Sequence, residues 1–177
     1  TTLFRSKLWQ WLQNSASDYT QNVISADILL HGSLLQSRQH IATKQEQQDF
    51  FAQLKSLQNK LYSSNAASGR LAIFSVIPRL LVSDEIYPDC WYQFHLMRYS
   101  QLLDMTEINS DYAMTKKMLE YQEFIPEKIL AKYLHLYKQS QNFNEQLLTQ
   151  NAANNSTQII IGQDDSSPFG LPHRSAL

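Results

Sequence analysis

One cysteine, four glycines, few charges and no long apolar run: each scarcity removes a class of protein. A single Cys90 excludes an internal disulfide framework and a cysteine-based zinc site. Four glycines leave little material for the tight βα turns and phosphate loops of nucleotide-binding α/β folds. That shortage points to a mostly helical chain. Charged residues make up 18% of the sequence and nearly balance, with net charge −1 and a pI of about 6.5. A chain that lives on phosphate contacts shows a basic excess, so nucleic acid is disfavoured as a partner. No run of about 18 apolar residues occurs, and no membrane span is expected. The opening TTLFRSKLWQWLQ lacks the apolar core and cleavage site of a secretory signal. Read as a terminus whose initiator Met was removed before Thr1, it gives the expectation of a bacterial cytoplasmic protein.

What is present is uncharged polarity and aromatic surface. Nineteen Gln, nineteen Ser and ten Asn carry solubility, beside three Trp, nine Tyr and eight Phe. The 177 residues suffice for one core without metal or disulfide staples.

Along the chain, Leu3, Phe4, Leu8, Trp11 and Leu12 share a helical stripe over residues 3–13, with Trp9 at its flank. After NSASD, Ser17 or Asp18 can cap a second helix carrying Val23, Ile24, Ile28, Leu30, Leu34 and Leu35. One long helix from 3 to 38 is the alternative. TKQE is a capping box that opens a helix to about residue 62, with Phe50, Leu54, Leu57 and Leu61 on one face. SSNAASG is a loop. Residues 70–82 fit either period: Ile73, Val76 and Ile77 suit a strand, while Leu71, Phe74, Ile77 and Leu81 suit a helix. With no evident partner strand, the segment reads as a buried helix kinked at Pro78. Helices follow at 88–105, 110–124 and 127–149.

The helix at 88–105 is apolar over most of its circumference, with a narrow polar arc of Asp89, Gln93, Ser100 and Asp104. Its stripe of Tyr92, Leu96, Tyr99 and Leu103 is expected at the centre of a bundle. His95 and Arg98 then lie partly inside, as hydrogen-bonded core residues or as a site completed by His135 from the last helix. No HExxH, nucleophile elbow or Cys-His signature accompanies them. Cys90 reads as a small core hydrophobe rather than a nucleophile. The pairs Asp84–Glu85 and Asp164–Asp165 are adjacent loop residues whose side chains diverge, and no Glu-x-x-His spacing for a metal bundle exists.

The expectation is therefore an all-α fold: a single-domain bundle of six or seven helices over 1–150, with an extended polar C-terminal tail over 151–177. The function expected is non-enzymatic, as an adaptor, chaperone-like or assembly subunit, without metal or cofactor. Its partner is another protein or a second copy. The alternatives are a small helical enzyme centred on His95 and His135, and a helical DNA-binding regulator using Lys116, Lys117, Lys128 and Lys132. Trp9 and Trp11 stand about 200° apart on a helix, so both cannot face one core. They join Ile159, Ile160, Ile161, Phe169 and Leu171 as candidate partner-binding residues. QIII fits a short strand, expected to lie against the bundle, another copy or a sheet edge, with Phe169 and Leu171 in a second groove.

Overall fold

The computed structural model describes residues 2–38, 40–63, 70–80, 90–153, 155–163 and 167–174, apart from the side chains of Thr2, Ser63 and Cys90. Cys90's side chain, both acidic pairs, the SNAASG stretch of residues 64–69 and Leu81–Val82 lie outside that description. The fold is mixed α/β, not all-α. Among the described residues, eight α-helices accompany a three-stranded parallel sheet. The chain divides into two units, 1–76 with 142–162, and 77–141 with 163–177.

The first unit begins with α1 (Thr2–Ser15) and a short 3-10 turn. The expected second helix does not start there. Gln21–Ser25 is instead β1, and α2 (Ala26–His31) follows without a loop. Ser25 serves as both last strand residue and N-cap, its Oγ accepting from the Ile28 amide at 3.4 Å. This junction needs no glycine, which is why the glycine shortage misled. Gly32 ends α2 at φ 97°, in the left-handed region. After α3 (Leu34–Ser37) comes α4 (Lys44–Ser63). Its capping box is formed: the Glu46 amide donates to Thr43 Oγ1 at 3.2 Å and the Thr43 amide to Glu46 Oε2 at 2.8 Å.

Residues 70–77, read from sequence as a kinked helix, form the central strand β2 (Arg70–Ile77). Burial alternates along it, and Pro78 stands just beyond its end. The partners invisible to sequence are short. β1 runs parallel to β2, pairing Val23 with Ala72 and Ile24 with Ile73. β3 (Thr157–Gln163) flanks β2's other edge, beginning where the Ser156 carbonyl accepts from the Leu71 amide at 3.1 Å. Ile159, Ile160 and Ile161 therefore lie in a sheet.

One sheet face carries the core. Ile24, Leu71, Ile73 and Ile159 meet Trp9 and Leu12 of α1, the Phe50–Leu61 stripe of α4, and Phe143 and Leu147. Those last two belong to α7 (Glu127–Asn151), whose end from residue 142 onward lies in this unit. Phe50 stands edge-on to both Trp9 and Phe143.

The second unit centres on α5 (Gln93–Ile108) and α6 (Tyr112–Glu123), packed with the first part of α7. Leu96 and Tyr99 are buried as expected, while Tyr92 and Leu103 are half-buried. Of the polar arc, Asp89 lies outside the described residues, Gln93 is half-buried, and the other two are buried. Ser100 and Asp104 are 0% and 2% exposed, whereas apolar Trp91 is 82% exposed. The arc receives α8 (Leu171–Arg174): Ser100 Oγ accepts from the Leu171 amide, and Asp104 Oδ2 from the Gly170 amide, each at 2.8 Å. His173 Nδ1 donates to the same carboxylate oxygen at 3.0 Å.

Two substitutions test this packing. Ile73→Ala should cost about 2–5 kcal/mol in denaturant unfolding, because Ile73 is fully buried in the central strand. Gly170 has φ 123° and a Cβ there would stand 2.7 Å from Leu80 Cδ1, so Gly170→Ala should lower stability by about 1–3 kcal/mol. Wild-type stability in either variant contradicts the corresponding packing.

Candidate functional site

In open parallel sheets, functional groups gather beyond the carboxyl ends of the strands. Here that position holds Asp27, two residues past β1 and buried. Its Oδ2 accepts from the Val76 amide at 3.0 Å, clasping the start of α2 to the end of β2. Burial pushes the Asp27 carboxyl up to about 6, held back in part by the amides of Val76 and Asp27 and by the Ser37 hydroxyl. Beside it on β2, the Ser75 hydroxyl donates to Asn144 Oδ1 at 2.7 Å, both groups buried.

A second polar group closes the other end of α2. His31 Nδ1 and His40 Nδ1 face each other at 3.2 Å, so only one of them carries the bridging proton. His40 Nε2 lies 3.6 Å from Glu46 Oε2, and Glu46 Oε1 takes Arg5 Nη2 at 2.8 Å. Arg5 also donates to the Leu30 carbonyl. Burial pulls the His31 imidazole down to about 4, with facing His40 and Arg5 helping and Glu46 opposing. For Glu46, burial acts upward; the Thr43 amide, Arg5, the Thr43 hydroxyl and His40 outweigh it and hold the carboxyl at about 2. Arg5 and Glu46 border a groove of about 600 Å³ between α1 and α4, with Trp9, Phe50 and Leu29 among its lining. These groups fasten elements to one another. Among the described residues, no set of three or more His, Cys, Asp or Glu could hold a metal ion, and no helix is long and apolar enough to cross a membrane.

The sheet's second face is different. Side chains alternate along a strand, so Val23, Ala72, Phe74, Val76, Ile160 and Gly162 share the face opposite the core. Val23 is 77% exposed and Ile160 40%. A Cβ on Gly162 would stand 2.7 Å from the Phe74 ring, so the absence of a side chain lets that ring lie across β3. By the same alternation Gln21, Arg70 and Gln158 stand on this face at the end where the strands begin, all exposed.

Of the candidate partner-binding residues, Trp9 is buried at 8% exposure and Trp11 stands out at 56%. Ile160 joins the open sheet face and Ile159 packs on the core side. Phe169 is half-buried and Leu171 buried. His95 lies among the rings of Phe94, Tyr121 and Phe124, its Nδ1 buried without a hydrogen-bond partner among the described residues. His135 is exposed on α7 and makes no ring contact with it among the described residues. Lys116, Lys117, Lys128 and Lys132 are all exposed. Sequence reading passed over Asp27 and took Val23 and Phe74 as apolar positions of helices. The signal was the SAD step after NVI, a strand end running into a capped helix.

These features define a mixed α/β chain with a small parallel sheet, uncovered on part of one face. The chain belongs to a family described as a protein of unknown function, DUF4127, whose model matches residues 5–177. No curated protein and no solved structure matches it.

The two shifted groups of α2 predict opposite pH responses. Asp27 is raised from 3.8 to about 6, so its contribution to stability is fully present below 3.8 and lost as pH rises through 6. His31 is lowered from 6.5 to about 4, so its contribution is present above 6.5 and lost as pH falls through 4. Each is on the order of 3 kcal/mol, and they largely cancel within the shared window. Urea unfolding of Asp27→Asn should show stability rising with pH from about 4 to 6, the His31 slope uncovered. His31→Gln should show it falling over the same window. Parallel pH profiles for wild type and both variants would mean that these groups do not titrate in this way.

Proposed function

We propose that this chain is a protein-interaction module that docks an apolar surface of another protein against the open face of its parallel sheet. The observation that carries the reading is the exposure of apolar Val23 and Ile160 on a face shared with Phe74 and Val76, while polar Gln21, Arg70 and Gln158 lie at the end where the strands begin. Parallel sheets are normally covered on both faces, since their strands carry apolar side chains on both sides. Leaving such a face open forgoes about 25 cal/mol for each Å² of apolar surface that a partner would cover. The fitting partner presents apolar side chains and places no unpaired charge on the sheet. Exposed Trp11 on α1 adds a residue type favoured as an interface anchor.

The test is a pair of charged substitutions on this face, Val23→Asp and Ile160→Lys, at positions open enough to leave the core intact. Pull-down from the native host with quantitative mass spectrometry, together with sedimentation velocity, should show wild-type partners or self-association lost in the folded double variant. An unchanged partner set and association state would sink the proposal.

A further inference from the structure

In the second unit, a cavity of about 390 Å³ opens between α5 and α6, with Phe169 at its margin. Phe94, Leu102, Tyr121 and Phe169 supply apolar and aromatic walls. Arg98 and Lys117 supply two cations, and no Asp or Glu is among the described residues that line the cavity. Arg98 is one turn from Phe94 and lies over its ring, 5.5 Å from the centroid, while its Nη1 donates to Gln101 Oε1 at 3.1 Å. That contact steadies the guanidinium and leaves further N–H groups for another acceptor. Lys117 comes from the facing helix, is exposed, and pairs with no carboxylate among the described residues. Elsewhere in this unit, by contrast, Arg174 is paired with Glu107 at 2.6 Å and His173 with Asp104 at 3.0 Å.

Two cations lining an aromatic-walled cavity, with no carboxylate among the described residues there, call for a ligand with an anionic head and an apolar body. The volume falls within the range of about 300–1,000 Å³ typical of small-molecule sites, which combine apolar walls with a few placed polar groups. We propose that this cavity binds a small organic anion, with its carboxylate, sulfonate or phosphate between Arg98 and Lys117 and its aromatic or aliphatic body against Phe94, Tyr121 and Phe169. Guanidinium suits such planar or tetrahedral oxyanions through parallel hydrogen bonds, and lysine adds a point charge. The site is independent of the sheet face proposed as a docking surface.

The test uses anilinonaphthalene sulfonate, an aromatic anion whose fluorescence rises on binding, and neutral N-phenylnaphthylamine as its uncharged counterpart. The sulfonate should bind saturably at one site per chain, more weakly as salt is added. Removing both cations in Arg98→Gln/Lys117→Gln should weaken it about tenfold or more, at the strength of charge-assisted hydrogen bonds, while affinity for the neutral probe stays the same. Both positions are exposed, and circular dichroism checks that the variant is folded. Val23→Asp/Ile160→Lys serves as the control for binding at the sheet and should keep wild-type sulfonate affinity. The proposal is overturned if wild type binds no sulfonate, if the folded cation variant binds it as tightly as wild type, or if the sheet variant is the one that loses it.

Discussion

Parallel pairing between β1 and β2 sets the course of the chain through the first unit. A parallel pair cannot be closed by a hairpin, so the chain must travel back before the second strand begins. Residues 26–63 make that return as α2, α3 and α4, and the apolar stripe of α4 covers the sheet on the way. Adding β3 on the other edge of β2 requires another long excursion, and α7 brings Phe143 and Leu147 onto the same face. Both returns deliver core side chains to one side of the sheet. The opposite face carries apolar Val23, Val76 and Ile160 and a ring lying over Gly162, with Gln21, Arg70 and Gln158 at the end where the strands begin.

Short elements of this kind are held by buried polar groups rather than by length. A five-residue strand followed at once by a six-residue helix has few backbone bonds of its own. The Asp27 carboxylate ties that junction to the Val76 amide, so one buried acceptor joins two strand ends. Burial disfavours its ionised form, yet removing the acceptor altogether would leave a backbone donor unpaired. The second unit repeats the device. A four-residue helix such as α8 cannot persist alone, and its Leu171 amide and the Gly170 amide just before it are taken by Ser100 and Asp104.

That device explains what sequence could and could not show. The α4 stripe and its capping box were legible because 20 residues repeat one period and the box is a local motif. The ends of α6 and α7 were close for the same reason. β1 was not legible: only Ile24 of its five residues is buried, and its apolar positions also fit a helical spacing. β2 carries both periods, and only its neighbours decide between them. The α5 surface was inverted for a physical reason. A hydrophobic wheel assigns Ser100 and Asp104 to water, yet these polar side chains are buried by the backbone amides they satisfy. The same limit applies to the candidate sites. Arg98 was noted for its place in the wheel, whereas Lys117 gains meaning only when α6 lies beside α5. Val23 and Phe74 read as core until the sheet gives each strand two sides.

The low charge content also gains a structural account. Nineteen Gln and ten Asn first read as a means of solubility. Several of them join elements in the first unit. Gln58 donates both to Asn151 and to Thr157, and Thr157 shares a hydrogen bond with Tyr62, linking α4, the end of α7 and the start of β3. Gln13 donates to the Gln53 carbonyl between α1 and α4, and Asn144 accepts from Ser75 inside the core. Ion pairs in these places would carry the desolvation cost of two charges, which burial recovers only with near-ideal geometry. An amide offers both donor and acceptor without that cost. Amides and hydroxyls thus share the cross-linking of elements with a few charged pairs such as Arg5–Glu46 and Arg174–Glu107. Against that background, Arg98 and Lys117 on one cavity, with no carboxylate among the described residues that line it, are a local departure from the way this chain handles polarity.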